Sequence, residues 1–373
     1  MAWNLSTEGL ERYLAKDALV RGESLWQDAW RRLRANRGAW ASLVFLAFVA
    51  LCSILAPVLP LPSPMALDLQ DEPQPPVWPW ESFGDHGYDA ATAKHFRDAW
   101  EPNPLDRGLL SVRTAVFGDF QLGHWLGTDA KGRDLAARIA WGSRVSILVA
   151  LAATLCSLVI GVTYGALSGY LGGRVDNLMM RFVDVMYSVP FVFVVIFLIT
   201  VLAEYRVERA LPNGEVELLT LEDAFGIDKT LIFFVVIGAI YWLTMARVVR
   251  GQVLSLKHSE FVEAARVMGA STARILFVHL VPNVLSIVIV YLTLTIPAIM
   301  LFEAFLSFLG LGVEPPRVSW GLLAVDSTEA INPIRTFWWL VAWPAAAMGS
   351  TLLALNILGD GLRDALDPKL RGR

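Results

Sequence analysis

The chain has 373 residues, 55% of them hydrophobic and only 18% charged, with a mean hydropathy of +0.51. That balance excludes an ordinary water-soluble protein and points to long apolar runs in a membrane. The net charge of −4 excludes little by itself, because what matters is where the charges fall.

Residues 1–37 carry seven Lys or Arg and five Asp or Glu, with no short apolar core leading to a small-residue cleavage site. They do not read as a signal peptide. Ser24-Leu25-Trp26-Gln27 has the form of a capping box, and a helical pattern follows it. Trp26, Trp30 and Leu33 fall on one face, with Arg31, Arg32 and Arg34 elsewhere. A basic amphipathic helix just before a span fits the inner membrane surface; an ordinary lead-in helix fits the same residues.

Six runs are long enough to cross a hydrocarbon layer, which takes about 20 helical residues. They lie near 40–61, 145–168, 182–203, 230–249, 284–306 and 337–358. The expected fold is all-α and polytopic, with six transmembrane helices. Pro190, Pro297 and Pro344 fall inside runs; neighbouring helices can satisfy the freed carbonyls, and kinks are expected there. Cys52 and Cys156 also lie in apolar runs and read as small packed hydrophobes, not as a disulfide. The chain divides into an N-terminal segment 1–37, a first span within 38–61, an external insert and lead-in 62–144, a core 145–358 with the loop 247–282, and a tail 359–373.

With the N-terminus inside, the inner segments hold 18 basic and 11 acidic residues, and the outer segments 13 basic and 22 acidic on more sequence. The positive excess on the N-terminal side predicts both termini in the cytoplasm.

Gly127-Thr-Asp-Ala-Lys-Gly-Arg-Asp134 comes close to a phosphate-binding loop, but the phosphate-chelating lysine is replaced by Arg133 and the magnesium-binding hydroxyl by Asp134. It also follows the first span and so lies outside. Gly127 and Gly132 allow tight turns, and Asp129, Arg133 and Asp134 are placed to pair or to cap the next helix. No HExxH, GxSxG or paired-cysteine metal spacing occurs elsewhere. No enzyme activity, metal, cofactor or nucleic-acid partner is expected.

Residues 62–126 hold eight of the nineteen prolines together with Trp78, Trp80, Trp100 and Trp125. Such a stretch forbids a spanning helix and reads as an irregular, ordered external cap, either decoration or a contact for an external partner. A second, acidic insert, 204–228, reads as a short loop with a helical turn. Two acids fall within spans: Asp184 near the inner end of the third and Glu303 near the outer end of the fifth. Charge at such depth faces a cavity or a partner. With nothing titratable between them, they read as polar contacts between helices, not as a proton relay.

The longest inner loop contains Glu260-Phe-Val-Glu-Ala-Ala-Arg-Val-Met-Gly269, then Ala270-Ser271 and a run to His279-Leu-Val-Pro282-Asn283. Residues 260–268 favour helix, Gly269 suits a left-handed helix end, Ser271 caps a second helix, and that helix should end before Pro282. Phe261, Val262, Ala265 and Met268 offer packing atoms. The element either docks into a groove on a cytoplasmic partner or lies on its own protein as a connector.

These residues carry a resemblance. Glu263-Ala264-Ala265, Gly269 and Pro282 resemble the cytoplasmic loop of ABC-importer membrane subunits, and the form around His279 is similar to the peptide-importer branch. Gly127 to Ser146, Glu303 to Gly312 with Pro315-Pro316 and Ser319-Trp320-Gly321, and Gly359 to Arg371 resemble the same branch. The pattern is that of the C-type permease subunit of oligopeptide/dipeptide importers.

The resemblance implies a type I importer permease fold in the cell inner membrane. It implies a homologous permease subunit, two cytoplasmic ATP-binding subunits that hydrolyse the ATP, an extracytoplasmic substrate-binding protein, surrounding membrane lipid and a peptide substrate. Glu260, Glu263, Ala264, Ala265, Gly269, Ala270, Ser271, His279 and Pro282 then form the ATPase-coupling loop, with Asp184 and Glu303 as structural or pathway residues. The same machinery also serves nickel chelates, glutathione-like peptides and some sugars. A stand-alone channel or secondary carrier would need a midplane ion site or inverted repeats, and neither is read here.

Overall fold

The computed structural model describes residues 25–65, 73–77, 104–118, 120–210, 216–220, 224, 229–313, 317–330 and 336–366. Ser24, most of the proline-rich insert, Pro315-Pro316 and the end of the tail lie outside the described residues. In chain order the elements are α1 (Leu25–Ala35), α2 (Arg37–Ile54), α3 (Pro104–Phe117), α4 (Leu135–Leu171), α5 (Gly173–Ser188), α6 (Phe191–Glu204), β1 (Arg206–Ala210), β2 (Val216–Thr220), α7 (Lys229–Leu256), α8 (Glu260–Val267), α9 (Thr272–Arg274), a π-helical stretch Ile275–Leu280, α10 (Val281–Phe308), α11 (Trp320–Asp326), a 3-10 turn Ser327–Ala330 and α12 (Trp338–Leu366). The fold is all-α apart from one hairpin.

Among the described residues, five helices are long and apolar enough to cross a membrane: Arg37–Ile54, Leu135–Leu171, Ile232–Leu256, Thr272–Phe308 and Trp338–Leu366. The predicted third span, 182–203, is not one helix. α5 and α6 meet at 84° and make a sixth span only if the broken pair is taken together. Pro190 causes the break: it lacks an N–H and holds Val189 extended, at φ −90° and ψ 128°. The fourteen residues of α6 rise about 21 Å, short of the roughly 30 Å hydrocarbon layer. Pro297 and Pro344, by contrast, sit inside unbroken helices.

α4 and α7 form the spine of the bundle. Gly161, Gly165 and Gly169 fall one turn apart on α4 and let α7 approach. A Cβ on Gly165 would lie 2.3 Å from the Ala246 carbonyl oxygen, and one on Gly169 2.8 Å from that of Arg250. Small residues at this spacing let two apolar helices gain dispersion contact along their backbones where lipid gives no hydrophobic drive. The main core gathers around this pair, with Val149, Ala153, Phe233, Ile237, Ile299, Leu306 and Leu340 all buried.

α1 is not the one-faced helix expected. It buries Ala29 and Leu33 against Ala39, Leu362 and Ala365, whereas Trp30 turns away and is exposed. Asn36 joins α1 to α2, its side chain accepting from the Gly38 and Ala39 N–H groups to start the next helix. The packing of α2 leaves an apolar cavity of about 470 Å³, lined in part by Phe45, Phe48, Cys52, Ile139 and Trp343.

The second insert carries a hairpin that was not expected, while Ala224 after it is helical, in keeping with the expected helical turn. β1 and β2 pair antiparallel, Arg206 opposite Thr220 and Ala210 opposite Val216. The strands' valines and leucines, with Pro212-Asn213-Gly214 between them in sequence, carry the hairpin signal.

Candidate functional site

α8 buries two residues against the protein. Val262 and Ala265 are 0% and 1% exposed and pack with Val253, Ile275, Leu276 and Leu280. Glu260, Phe261, Glu263, Ala264, Val267 and Met268 all face out, the last two 89% and 79% exposed. The four packing residues expected on this helix are therefore divided: Val262 and Ala265 face inward, Phe261 and Met268 outward. The spacing of three between Val262 and Ala265 puts both on one helical face.

Gly269 ends the helix as expected. Its φ is +77°, which glycine adopts without steric penalty, and the Ala270 N–H closes on the Ala265 carbonyl at 3.0 Å. Ser271 starts the next helix, its hydroxyl accepting from the Arg274 N–H at 3.4 Å. That helix does not end before Pro282. It runs on through Ile275–Leu280 into α10, so Thr272–Phe308 is one helix of 37 residues. The π-helical stretch explains the difference. Its wider turn, closed by the Val281 N–H on the Leu276 carbonyl, gives the proline ring room, and Pro282 sits at the first turn of α10. His279 is half-buried, and its carbonyl accepts from the Asn283 side chain at 2.6 Å; Pro282 is exposed.

Around this loop the ends of α4, α5 and α7 are tied by ions. Asp176 accepts two bonds from the Arg250 guanidinium, at 2.5 and 2.6 Å, and one from Ser168 at 2.6 Å. Arg266 of α8 lies over the Tyr170 ring at 5.3 Å. Asp184 lies on α5, before the 84° bend that follows at Pro190; its side chain is 64% exposed and meets Arg247 of α7 at 2.6 Å.

At the other end of α4 the GTDAKGRD segment forms a second cluster. Gly127 and Gly132 take φ of +86° and +71°. Asp134 caps α4, accepting from the Ala137 N–H at 2.6 Å, with the His124 ring 3.1 Å away. Burial pushes the Asp134 carboxyl up from the usual range, against the pull of these partners. Asp129 pairs with Arg133 at 2.7 Å and with Arg138 at 2.6 Å, and Asp326 joins the same two arginines at 3.1 and 2.6 Å. The expected pairing and capping are both present, and they reach further than the segment itself, to α11.

Glu303 is 1% exposed and bridges helices near this end. Its carboxylate accepts from Ser307 at 2.9 Å and from Ser146 of α4 at 3.2 Å. Ser146 in turn accepts from the Trp320 N–H at 3.0 Å. Gly321 lies so close that a Cβ there would sit 2.9 Å from Glu303 Oε1. The two predicted acids are thus not brought together; each ties its own end of the bundle.

Residues 161–372 match the family described as binding-protein-dependent transport system inner membrane component, and residues 24–76 match the N-terminal transmembrane domain of oligopeptide transport permease C. The chain belongs to this family of transport permeases. Among its relatives are the oligopeptide transport system permease protein OppC of Escherichia coli K12, 42% identical over 98% of both chains, and that of Haemophilus influenzae, 40% identical over 94% of this chain and 91% of its own. The dipeptide transport system permease protein DppC of Bacillus subtilis is 36% identical over 93% of this chain and 87% of its own.

Sequence reasoning passed over three features of this permease. Gly161, Gly165 and Gly169 were legible as a small-residue stripe at helical spacing. The Asp176–Arg250 pair had only its charges in apolar surroundings as a signal. Asp326, which completes the cluster around Arg138, had no local signal, because 188 residues separate the partners.

Proposed function

We propose that this permease forms half of the translocation pathway of an ATP-driven importer of peptides and takes its energy from cytoplasmic ATPase subunits that grip α8 and its flanks. A homologous permease supplies the other half, and an extracytoplasmic binding protein delivers the substrate. Both termini and α8 lie in the cytoplasm, a placement supported by the excess of Lys and Arg on that side. The peptide substrate is supported by the names of the relatives, which are oligopeptide and dipeptide transport permeases.

One observation carries the reading: α8 turns an acidic and apolar face outward, while its buried residues, Val262 and Ala265, pack with α7 and the start of the long helix Thr272–Phe308. A connector packed on its own protein would bury Val267 and Met268. A docked helix leaves them for a partner's groove. Glu260, Glu263, Ala264 and Gly269 lie on or beside the open face, Ala265 anchors it from below, and Ala270 to Pro282 join it to α10. ATP binding draws the two docked loops together and opens the pathway outward; hydrolysis returns it. This is alternating access driven by the nucleotide's different affinity for two states. Asp184 and Glu303 tie helices at opposite ends and have no part in proton transfer.

The test is Gly269→Trp and Glu263→Lys in the reconstituted assembly. Both positions are exposed and nothing lies within 4 Å of a Cβ on Gly269, but its φ of +77° strains any side chain there, so insertion and assembly of each variant are measured alongside activity, and Glu263→Lys carries no such strain. Both variants are expected to lose substrate-stimulated ATPase activity and uptake. Normal uptake by a fully assembled Gly269→Trp complex would reject the docking. The ligand bound to the binding protein of the same assembly, identified by mass spectrometry, tests the peptide assignment separately.

A further inference from the structure

We propose that the junction of α1 and α2 binds the phosphate headgroup of an anionic phospholipid, with one acyl chain lying along the open stripe of α2. The inference goes beyond the transport reading and does not depend on it.

Asp28 offsets part of the charge on α1, pairing with Arg31 at 2.9 Å and Arg32 at 2.8 Å. Among the described residues, neither Arg34 nor Arg37 pairs with a carboxylate, and both are exposed. Arg34 is nevertheless held in place. Its guanidinium lies 4.9 Å from the Trp30 ring and 5.4 Å from the Trp40 ring, and the two rings stand edge-on 5.9 Å apart. Two indole faces orient the planar fork by cation–π attraction and displace part of its water, yet they take none of its N–H donors. Phosphate oxygens are the acceptors that suit such a fork.

The indoles themselves are 44% and 36% exposed, as tryptophans at a membrane–water boundary are. From Trp40 the exposed stripe continues through Val44, Phe48 and Leu51, positions that fall on one face of α2. Charge, then aromatic ring, then hydrocarbon is the order of a phospholipid from phosphate through ester to acyl chain. Two arginines without a carboxylate partner among the described residues favour an anionic headgroup over a zwitterionic one, whose own cation would be repelled.

The test uses the intact chain in detergent, with dioleoylphosphatidylglycerol and dioleoylphosphatidylcholine as probes and native mass spectrometry as the readout. The wild type should retain the anionic lipid preferentially. Arg34→Gln with Arg37→Gln should lower that preference about 30-fold, the conversion of about 1 kcal/mol per arginine near an anionic surface. Arg174→Gln removes an exposed arginine at the start of α5 and should leave the preference intact. A preference unchanged in the double variant, or lowered equally by Arg174→Gln, overturns the site in favour of general charge attraction. Full displacement of the lipid by excess inorganic phosphate assigns the arginines to free phosphate and overturns the lipid. Phe48→Gln should shorten retention of both lipids without changing the preference; unchanged retention overturns the placement of the acyl chain.

Discussion

At the GTDAKGRD end of the bundle, Arg138 is wholly buried and bonded to both Asp129 and Asp326. At the other end, α8 buries Val262 and Ala265 and shows Val267 and Met268 to solvent. The first arrangement satisfies charge within the chain; the second leaves apolar surface unsatisfied. An end whose polar groups are paired internally resists rearrangement, because moving any member strands a charge. A helix with two buried residues and an exposed apolar face can change partners at little loss, even where the helix ends around it are tied by Asp176 and Arg250. The contrast is between a charge cluster closed within the chain and one helix whose apolar face is left open.

Three substitutions break or sharpen that contrast. Arg138→Met, the largest, leaves Asp129 and Asp326 facing each other with Arg133 alone and is expected to destabilise the chain by about 3–5 kcal/mol; thermal unfolding of the purified chain reads it. A stability within about 1 kcal/mol of wild type would show that the cluster does not lock this end. Gly165→Leu drives a side chain into the Ala246 backbone and forces α4 from α7, with an expected loss of about 1–3 kcal/mol, also read by thermal unfolding. Because that pair spans both ends, it should loosen the whole bundle, and protease cleavage should rise at the two ends together. Ser271→Ala, the smallest, removes only the cap of α9, about 1 kcal/mol. Hydrogen exchange should then quicken around 270–276 and stay unchanged at 127–138. Quickening at both ends would mean that they are one cooperative unit.

Much of the architecture was legible because its signals are local. Apolar length marked five of the spans, and the residue types in GTDAKGRD marked a cap and an ion pair. Gly269 and Ser271 marked a helix end and a helix start two residues apart. What failed depended on competition between local rules and their surroundings. Pro190 broke its span through 84°, while Pro297 and Pro344 did not break theirs, although all three looked alike in sequence. Pro282 read as a helix stop, and a π-helical turn absorbed it instead. Asp184 counted as an intramembrane charge because the run 182–203 was taken as one span; its side chain is 64% exposed on α5, before the bend. The hairpin at 206–220 hid its alternation in a segment marked chiefly by its acids. Asp326 was out of reach, since nothing near it in sequence names Arg138 as its partner.

The unbroken course of Thr272–Phe308 has a mechanical consequence. Glu303 and its serine contacts pin the helix near one end, and the Gly269–Ser271 corner is free at the other. The pivot and the handle are 31 residues apart in one continuous helix, a lever arm of about 45 Å on which a 5° swing displaces the handle by about 4 Å. The π-helical stretch and Pro297 lie along that arm, so their stiffness sets how much of a pull at the corner reaches the far end of the bundle.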